Sequence, residues 1–129
     1  SSVELRGLTL SFSRTDHPPE TLAVRADVSG AASFGYSADT GPGWSLSELG
    51  PGLDLAFCEA SLAPENERKV QHLTAAQAGT SARAAGVRHL VITHLQPGVD
   101  ADRSRADAGA AFGLPVDVAS AGQRYEVSG

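Results

Sequence analysis

Aromatic residues are scarce in this chain: one Trp, two Tyr and four Phe among 129 residues. A core rich in large rings is therefore excluded, and the interior must be built from Ala, Val and Leu. Cysteine is nearly absent. The single Cys58 rules out an internal disulfide and fits a reducing cytoplasm. No apolar run approaches the roughly 18 residues that a spanning helix needs, so a membrane segment is not expected. No signal-like stretch follows Ser1. Basic charge is also in short supply, with ten Lys and Arg against fifteen Asp and Glu and a net charge of −5. The basic residues are scattered from Arg6 to Arg124, without the aromatic-interleaved stripe that grips duplexes or tRNA. A small or neutral partner is favoured over a polynucleotide.

The length suits one ordinary domain or part of a larger one. Fourteen Gly and seven Pro suit an α/β chain with short loops. Val3 to Ser13 alternates polar and apolar residues as a half-buried strand does. Asp16-His17-Pro18-Pro19 breaks the pattern, because proline removes a donor and restricts φ. Thr21 to Asp27 and Ser33 to Ala38 continue the series as an antiparallel meander. Gly41-Pro42-Gly43 ends it, and Ser45 is placed to cap one helical turn to Leu49.

From Leu53 the pattern becomes strand, helix, strand, helix, strand. Leu53 to Cys58 and Val87 to Thr93 are near-continuous apolar runs, as in strands buried on both faces. Ala63 to Val70 reads as a charged, mobile loop. Thr74 to Ala85 has a capping-box start, Thr74 with Gln77, and Gly86 at its stop. Asp100 to Phe112 is a second helix, acidic at its start and closed by Gly113. Pro115 to Ala119 and Arg124 to Val127 read as short terminal strands.

Three strand-like runs each end in a polar residue competent for metal or proton chemistry. They are Asp39 in Y-S-A-D-T-G, Glu59 in C-E-A-S and His94 in I-T-H. His94 is a metal ligand at a sheet rim, where open α/β sheets bind ligands, or a half-exposed loop histidine. Asp39 is its partner in a hydrolytic metal site or the carboxylate of an Asx-turn. His72, just before the capped helix, is a proton donor to a leaving group or a surface residue. Glu59 follows an apolar run, where a carboxylate is costly unless paired. It orients His72 or pairs with Arg68 or Lys69. Cys58 reads as a small core residue, His89 as structural or exposed, and His17 sits in a turn with its role open.

Y-S-A-D-T-G (Tyr36 to Gly41), C-E-A-S (Cys58 to Ser61), H-L-T (His72 to Thr74) and I-T-H (Ile92 to His94) occur in an order and spacing similar to the C-terminal half of metallo-β-lactamase-fold hydrolases. The resemblance runs from about Val3 to Val127. It is to the branch with tRNA 3′-processing endonucleases and class II-like cyclic-nucleotide phosphodiesterases, with actinobacterial members closest in texture. It implies that Asp39 bridges two metal ions, usually Zn²⁺ with Mn²⁺ as the alternative, and that His94 is the last histidine ligand. It implies that His72 contacts the scissile phosphate and helps the leaving group depart, with Thr74 beside it on the substrate side. Glu59 would support His72. Cys58 stands where many relatives have His, and Ala38 where Gly is usual.

The family's principal ligand motif, His-x-His-x-Asp-His, belongs to the N-terminal half together with one further His ligand, and no such motif occurs in this sequence. The expectation is therefore an α/β fold, with residues 1–129 a single partial domain. It would be the C-terminal half of an αββα sandwich, one mixed sheet with helices on one face. The parent is expected to be a cytoplasmic phosphodiesterase acting on small phosphodiesters such as cyclic nucleotides. The isolated chain is expected to be inactive and to hold little or no metal. A tRNA 3′-processing endoribonuclease and a non-catalytic binding or assembly module are the alternatives. An uncovered sheet face should seek the missing half or a second protomer, so homo-oligomers are expected.

Overall fold

Val3 and Leu5 are followed by Leu8, Leu10 and Phe12, so the alternation slips by one residue at Arg6-Gly7. The computed structural model, which describes residues Ser1–Gly129, turns the chain there. Arg6 (φ 49°) and Gly7 (φ 82°) take left-handed conformations. Such a two-residue turn matches the twist of a hairpin. The expected single strand from Val3 to Ser13 is thus two, β1 (Ser2–Leu5) and β2 (Leu8–Arg14), with Leu5 opposite Leu8. The slip keeps apolar side chains of both strands on one face.

β3 (Leu22–Val28) and β4 (Ala32–Tyr36) extend the meander antiparallel. β5 (Leu55–Glu59), β6 (His89–Thr93) and β7 (Asp117–Val118) then add in parallel, giving one seven-stranded mixed sheet in sequence order. The crossovers contain α1 (Ala75–Ala85) and α2 (Ala101–Phe112). Thr74 and Gln77 form the reciprocal capping box, and Gly86 closes α1 at φ 69°. Ser45 caps a 3₁₀ turn over Leu46–Leu49. The Ala63 to Val70 segment holds a 3₁₀ turn at Pro64–Asn66. The expected strand at Arg124 to Val127 does not form, and Pro115 to Ala119 contributes only the two residues of β7. No helix is long and apolar enough to cross a membrane.

Both helices pack on one face of the sheet. Ala56, Cys58, Leu90 and Ile92 point to that side and share a core with Ala78, Ala82, Ala108 and Phe112. With so few rings, the layers are brought close by small residues. Gly79 is the tightest point, since a Cβ there would overlap the Ala108 carbonyl oxygen. A glycine inside a helix costs about 1 kcal/mol relative to alanine, and close helix–helix contact offsets that here.

The opposite face is apolar from β1 to β6. One cross-strand row runs Phe12, Val24, Tyr36, Phe57, Val91, and the next runs Leu10, Ala26, Phe34, Leu55. Tyr125 of the C-terminal segment lies edge-on against Phe57, with centroids 5.2 Å apart, which covers part of β5. Val3, Leu5, Leu22, Val28 and Tyr36, all on this face, are between 40% and 54% exposed.

Candidate functional site

β4, β5 and β6 are parallel neighbours, so their C-terminal ends share one edge of the sheet. Asp39 follows β4, Glu59 ends β5 and His94 follows β6, as their apolar runs suggest. The loop before α1 brings His72 to the same edge. Asp39, Glu59, His72 and His94 each offer a ligand atom within 4.8 Å of the others.

Glu59 is the buried base of this group. It is 1% exposed. Its Oε1 accepts from Thr40 N (2.8 Å), and its Oε2 from Leu73 N (3.0 Å) and Ser61 N (3.3 Å). His72 Nδ1 lies 2.7 Å from Oε1. A carboxylate can only accept, so Nδ1 of His72 is the donor and its Nε2 is left to face outward. Arg68 and Lys69, the alternative partners in sequence, take no part in these contacts.

Asp39 is not folded back as an Asx-turn. Its Oδ1 is 3.2 Å from His94 Nδ1 and its Oδ2 is 3.9 Å from His17 Nε2. Its main chain is fixed from below, with Thr15 Oγ1 donating to the Asp39 carbonyl at 2.7 Å. Ala38 (φ 52°) and His94 (φ 60°) both occupy the left-handed region. That conformation costs a non-glycine residue roughly 1–2 kcal/mol, and such strain clusters at functional sites. Burial first, then the charges of Asp39 and Glu59, push the Tyr36 phenol above its ordinary range.

Two residues without an assigned role in the sequence stand in the site. His17 packs edge-on against His72 at 5.0 Å, and its Nδ1 meets Thr21 Oγ1 at 3.3 Å, which leaves Nε2 toward Asp39. Its signal in the sequence is its place just past the end of β2, next to the two prolines. Ser61 is fully buried, with Oγ 2.8 Å from His94 Nδ1 and 3.5 Å from His72 Nδ1. Thr74 is buried and its Oγ1 accepts from Gln77 N as the helix cap. His89 pairs with Asp117 at 2.7 Å on the start of β6, away from the group. Cys58 is buried in the core, which pushes its thiol up to about 12.

The donor set of one carboxylate and several imidazoles suits a divalent transition ion. Asp39, His94 and His17 offer three donors at most once Glu59 and His72 are paired. A catalytic zinc takes about three protein ligands plus an open position. The residues present fit part of the ligand set of a divalent metal site.

No family model matches the chain. It is 35% identical over 127 residues to an uncharacterized protein of Mycobacterium tuberculosis, covering 97% of this chain and 46% of that protein. It is 36% identical over 125 residues to ribonuclease Z of Myxococcus xanthus, covering 93% of this chain and 40% of that enzyme. It is 29% identical over 119 residues to YhfI of Bacillus subtilis, a probable metallo-hydrolase, covering 92% of this chain and 48% of that protein. The crystal structure of YhfI, described as a metallo-beta-lactamase fold protein, superposes with a TM-score of 0.86, covering 95% of this chain and 50% of that one at 25% identity. A diphosphatase of the PhnP family superposes with a TM-score of 0.70, covering 98% of this chain and 47% of that one; at 19% identity it shows the fold alone. The chain spans about half the length of the curated relatives it matches.

Proposed function

Because the chain belongs to the metallo-β-lactamase-fold superfamily, we propose that it supplies one side of the active site of a metal-dependent hydrolase of small phosphodiesters, cyclic nucleotides among them. The observation that carries this reading is Asp39, which presents one oxygen to His94 and the other toward His17. A carboxylate with one oxygen toward each of two imidazoles can bridge two divalent ions. His94 and His17 would hold the ions on either side of it. Zn²⁺ is the ion the donors favour, with Mn²⁺ as the alternative. Bound divalent ions supply Lewis acidity and a nucleophile at neutral pH.

This chain's own residues supply the leaving-group side. Glu59, fixed by three backbone N–H groups, holds His72 through Nδ1. With Nδ1 held there, Nε2 is the His72 nitrogen that would meet a departing oxygen and pass it a proton. Ser61 fixes His94 through Nδ1. Thr74 would act through the helix it caps, whose N-terminus favours an anionic group.

The remaining ligands would come from a second segment, the half that the relatives have in addition. The uncovered apolar sheet face is the surface on which it would sit, and in its absence a second copy of the chain would take its place. The single free thiol of Cys58 fits a cytoplasmic working compartment. The likeness to ribonuclease Z supports a second reading, a tRNA 3′-processing endoribonuclease. The net charge of −5 gives this chain little grip on tRNA. A non-catalytic half-domain would have no need of the strained backbone at Ala38 and His94.

The test is to supply the missing half, using the other segment of a full-length relative, and to assay bis-p-nitrophenyl phosphate, cyclic AMP and pre-tRNA. Asp39→Ala should reduce turnover by more than the ~10–100-fold that outer-sphere changes cost metal sites. Activity that survives this substitution would sink the ligand assignment. Turnover of pre-tRNA but not cyclic AMP would select the second reading.

A further inference from the structure

Asp16 makes no hydrogen bond to the four clustered side chains, yet it reaches the segments that carry Asp39 and His72 and directly precedes His17. Its Oδ1 accepts from Gln71 Nε2 at 2.6 Å, and Gln71 immediately precedes His72. Its Oδ2 accepts from Gly43 N at 2.8 Å. Its carbonyl accepts from Gly41 N at 2.6 Å, and its own N–H donates to Thr40 Oγ1 at 3.3 Å, just past Asp39. His17 is the next residue along the chain. The loop opposite is cut to fit this carboxylate. A Cβ at Gly41 would lie 2.6 Å from Asp16 Oδ2, and one at Gly43 would lie 2.8 Å from it. Ordinary side chains at either position would expel the carboxylate.

We infer that Asp16 is a positioning residue, whose carboxylate and backbone clamp the segments bearing His17, Asp39 and His72 into one geometry. Glu59 ties the Asp39 and His72 segments together, and Thr15 ties down the Asp39 carbonyl, but neither holds the His17 ring against the other two. His17 meets His72 only edge-on, and His17 approaches Asp39 only to 3.9 Å. Neither contact would hold the His17 imidazole to the few tenths of an ångström that a ligand sphere demands. The two oxygens of Asp16 serve two different loops, so neither loop can shift without the other. The inference relies on the proposed function only for why the geometry matters; the clamp itself is a statement about ring placement.

The experiment is NMR on the full chain with labelled histidine. In the wild type, ring protons of His17 and His72 should give a cross-relaxation peak, as centroids 5.0 Å apart require. Asp16→Ala should abolish that peak while the amide shifts of Leu90 and Ile92 in the core stay in place. Asp16→Asn keeps one carbonyl acceptor and should restore part of it. Gln71→Ala removes only a solvent-exposed hydrogen bond and does not threaten folding. It should shift the His72 ring signals and leave those of His17 unmoved. An unchanged His17–His72 peak in Asp16→Ala overturns the inference. If that variant does not fold, unmoved His72 signals in Gln71→Ala overturn it instead. Should the rings depend on Asp16 while Asp39→Ala leaves hydrolysis intact in the completed protein, the proposed function fails and the clamp stands.

Discussion

Replacing Glu59 with Ala isolates the most deeply buried charged group in the site. The side chain is 1% exposed, and its two oxygens receive Thr40 N, Leu73 N, Ser61 N and His72 Nδ1. Alanine would strand three main-chain donors in the space left behind. Each buried donor without a partner costs about 1–3 kcal/mol. Water can reach the His72 side, whose ring is 16% exposed, so one of the three can be rescued by solvent. Two stranded donors then give a loss of about 2–6 kcal/mol, a large fraction of the ~5–15 kcal/mol that holds a domain folded. Glu59→Gln keeps the shape and one acceptor oxygen, but turns an NH₂ toward N–H groups, so it should cost less than Ala and still be measurable. Urea unfolding followed by the fluorescence of Trp44, the one tryptophan and a buried one, reads both values. Unfolding of Glu59→Ala within about 0.5 kcal/mol of wild type, the range of an ordinary surface change, would show that no buried donor is stranded.

Three further outcomes follow from the backbone and the core. Ala38→Gly should stabilise the chain by about 1 kcal/mol, because relief of left-handed strain exceeds the added freedom of the unfolded state; thermal unfolding checks it, and a lower Tm contradicts it. Gly79→Ala should destabilise the chain in the same assay despite alanine's better helix propensity, since its Cβ would strike the Ala108 carbonyl. Cys58 should resist thiol reagents in the folded chain and react once urea unfolds it. Burial raises the Cys58 thiol from 9.0 to about 12 in the fold; a hydrogen bond with Ser37 opposes it, and the charge of Glu59 adds a smaller push upward. The unfolded thiol therefore ionises first. The Cys58 contribution to stability is whole below pH 9.0 and is lost as the pH rises toward about 12, which a denaturation series across that range would show.

Much of the parallel half of the fold is written in local sequence. Thr74, Gln77 and Gly86 mark α1 because capping is a contact between near neighbours. Leu53 to Cys58 and Val87 to Thr93 mark β5 and β6 because burial on both faces demands a continuous apolar run. Asp39, Glu59 and His94 could be placed at one edge because they end such runs. The hairpin at Arg6-Gly7 is also legible, as the slip from Leu5 to Leu8, but an unbroken alternation is the easier reading. Arg124 to Val127 alternates like a strand yet finds no ladder, because Tyr125 is spent against Phe57 on the sheet face. His17, Ser61 and Asp16 could not be assigned from spacing. Their partners are far along the chain, and only the meander's folding brings β2's end beside the loops after β4 and before α1.

The proposed function gives this chain one side of a two-metal site. Its most direct test is metal content after dialysis, measured on the isolated chain and again after the complementary half is supplied. The chain alone should hold substoichiometric or no zinc, and the complete domain about two ions, as a bridging Asp39 requires. Two tightly held ions on the isolated chain would contradict it.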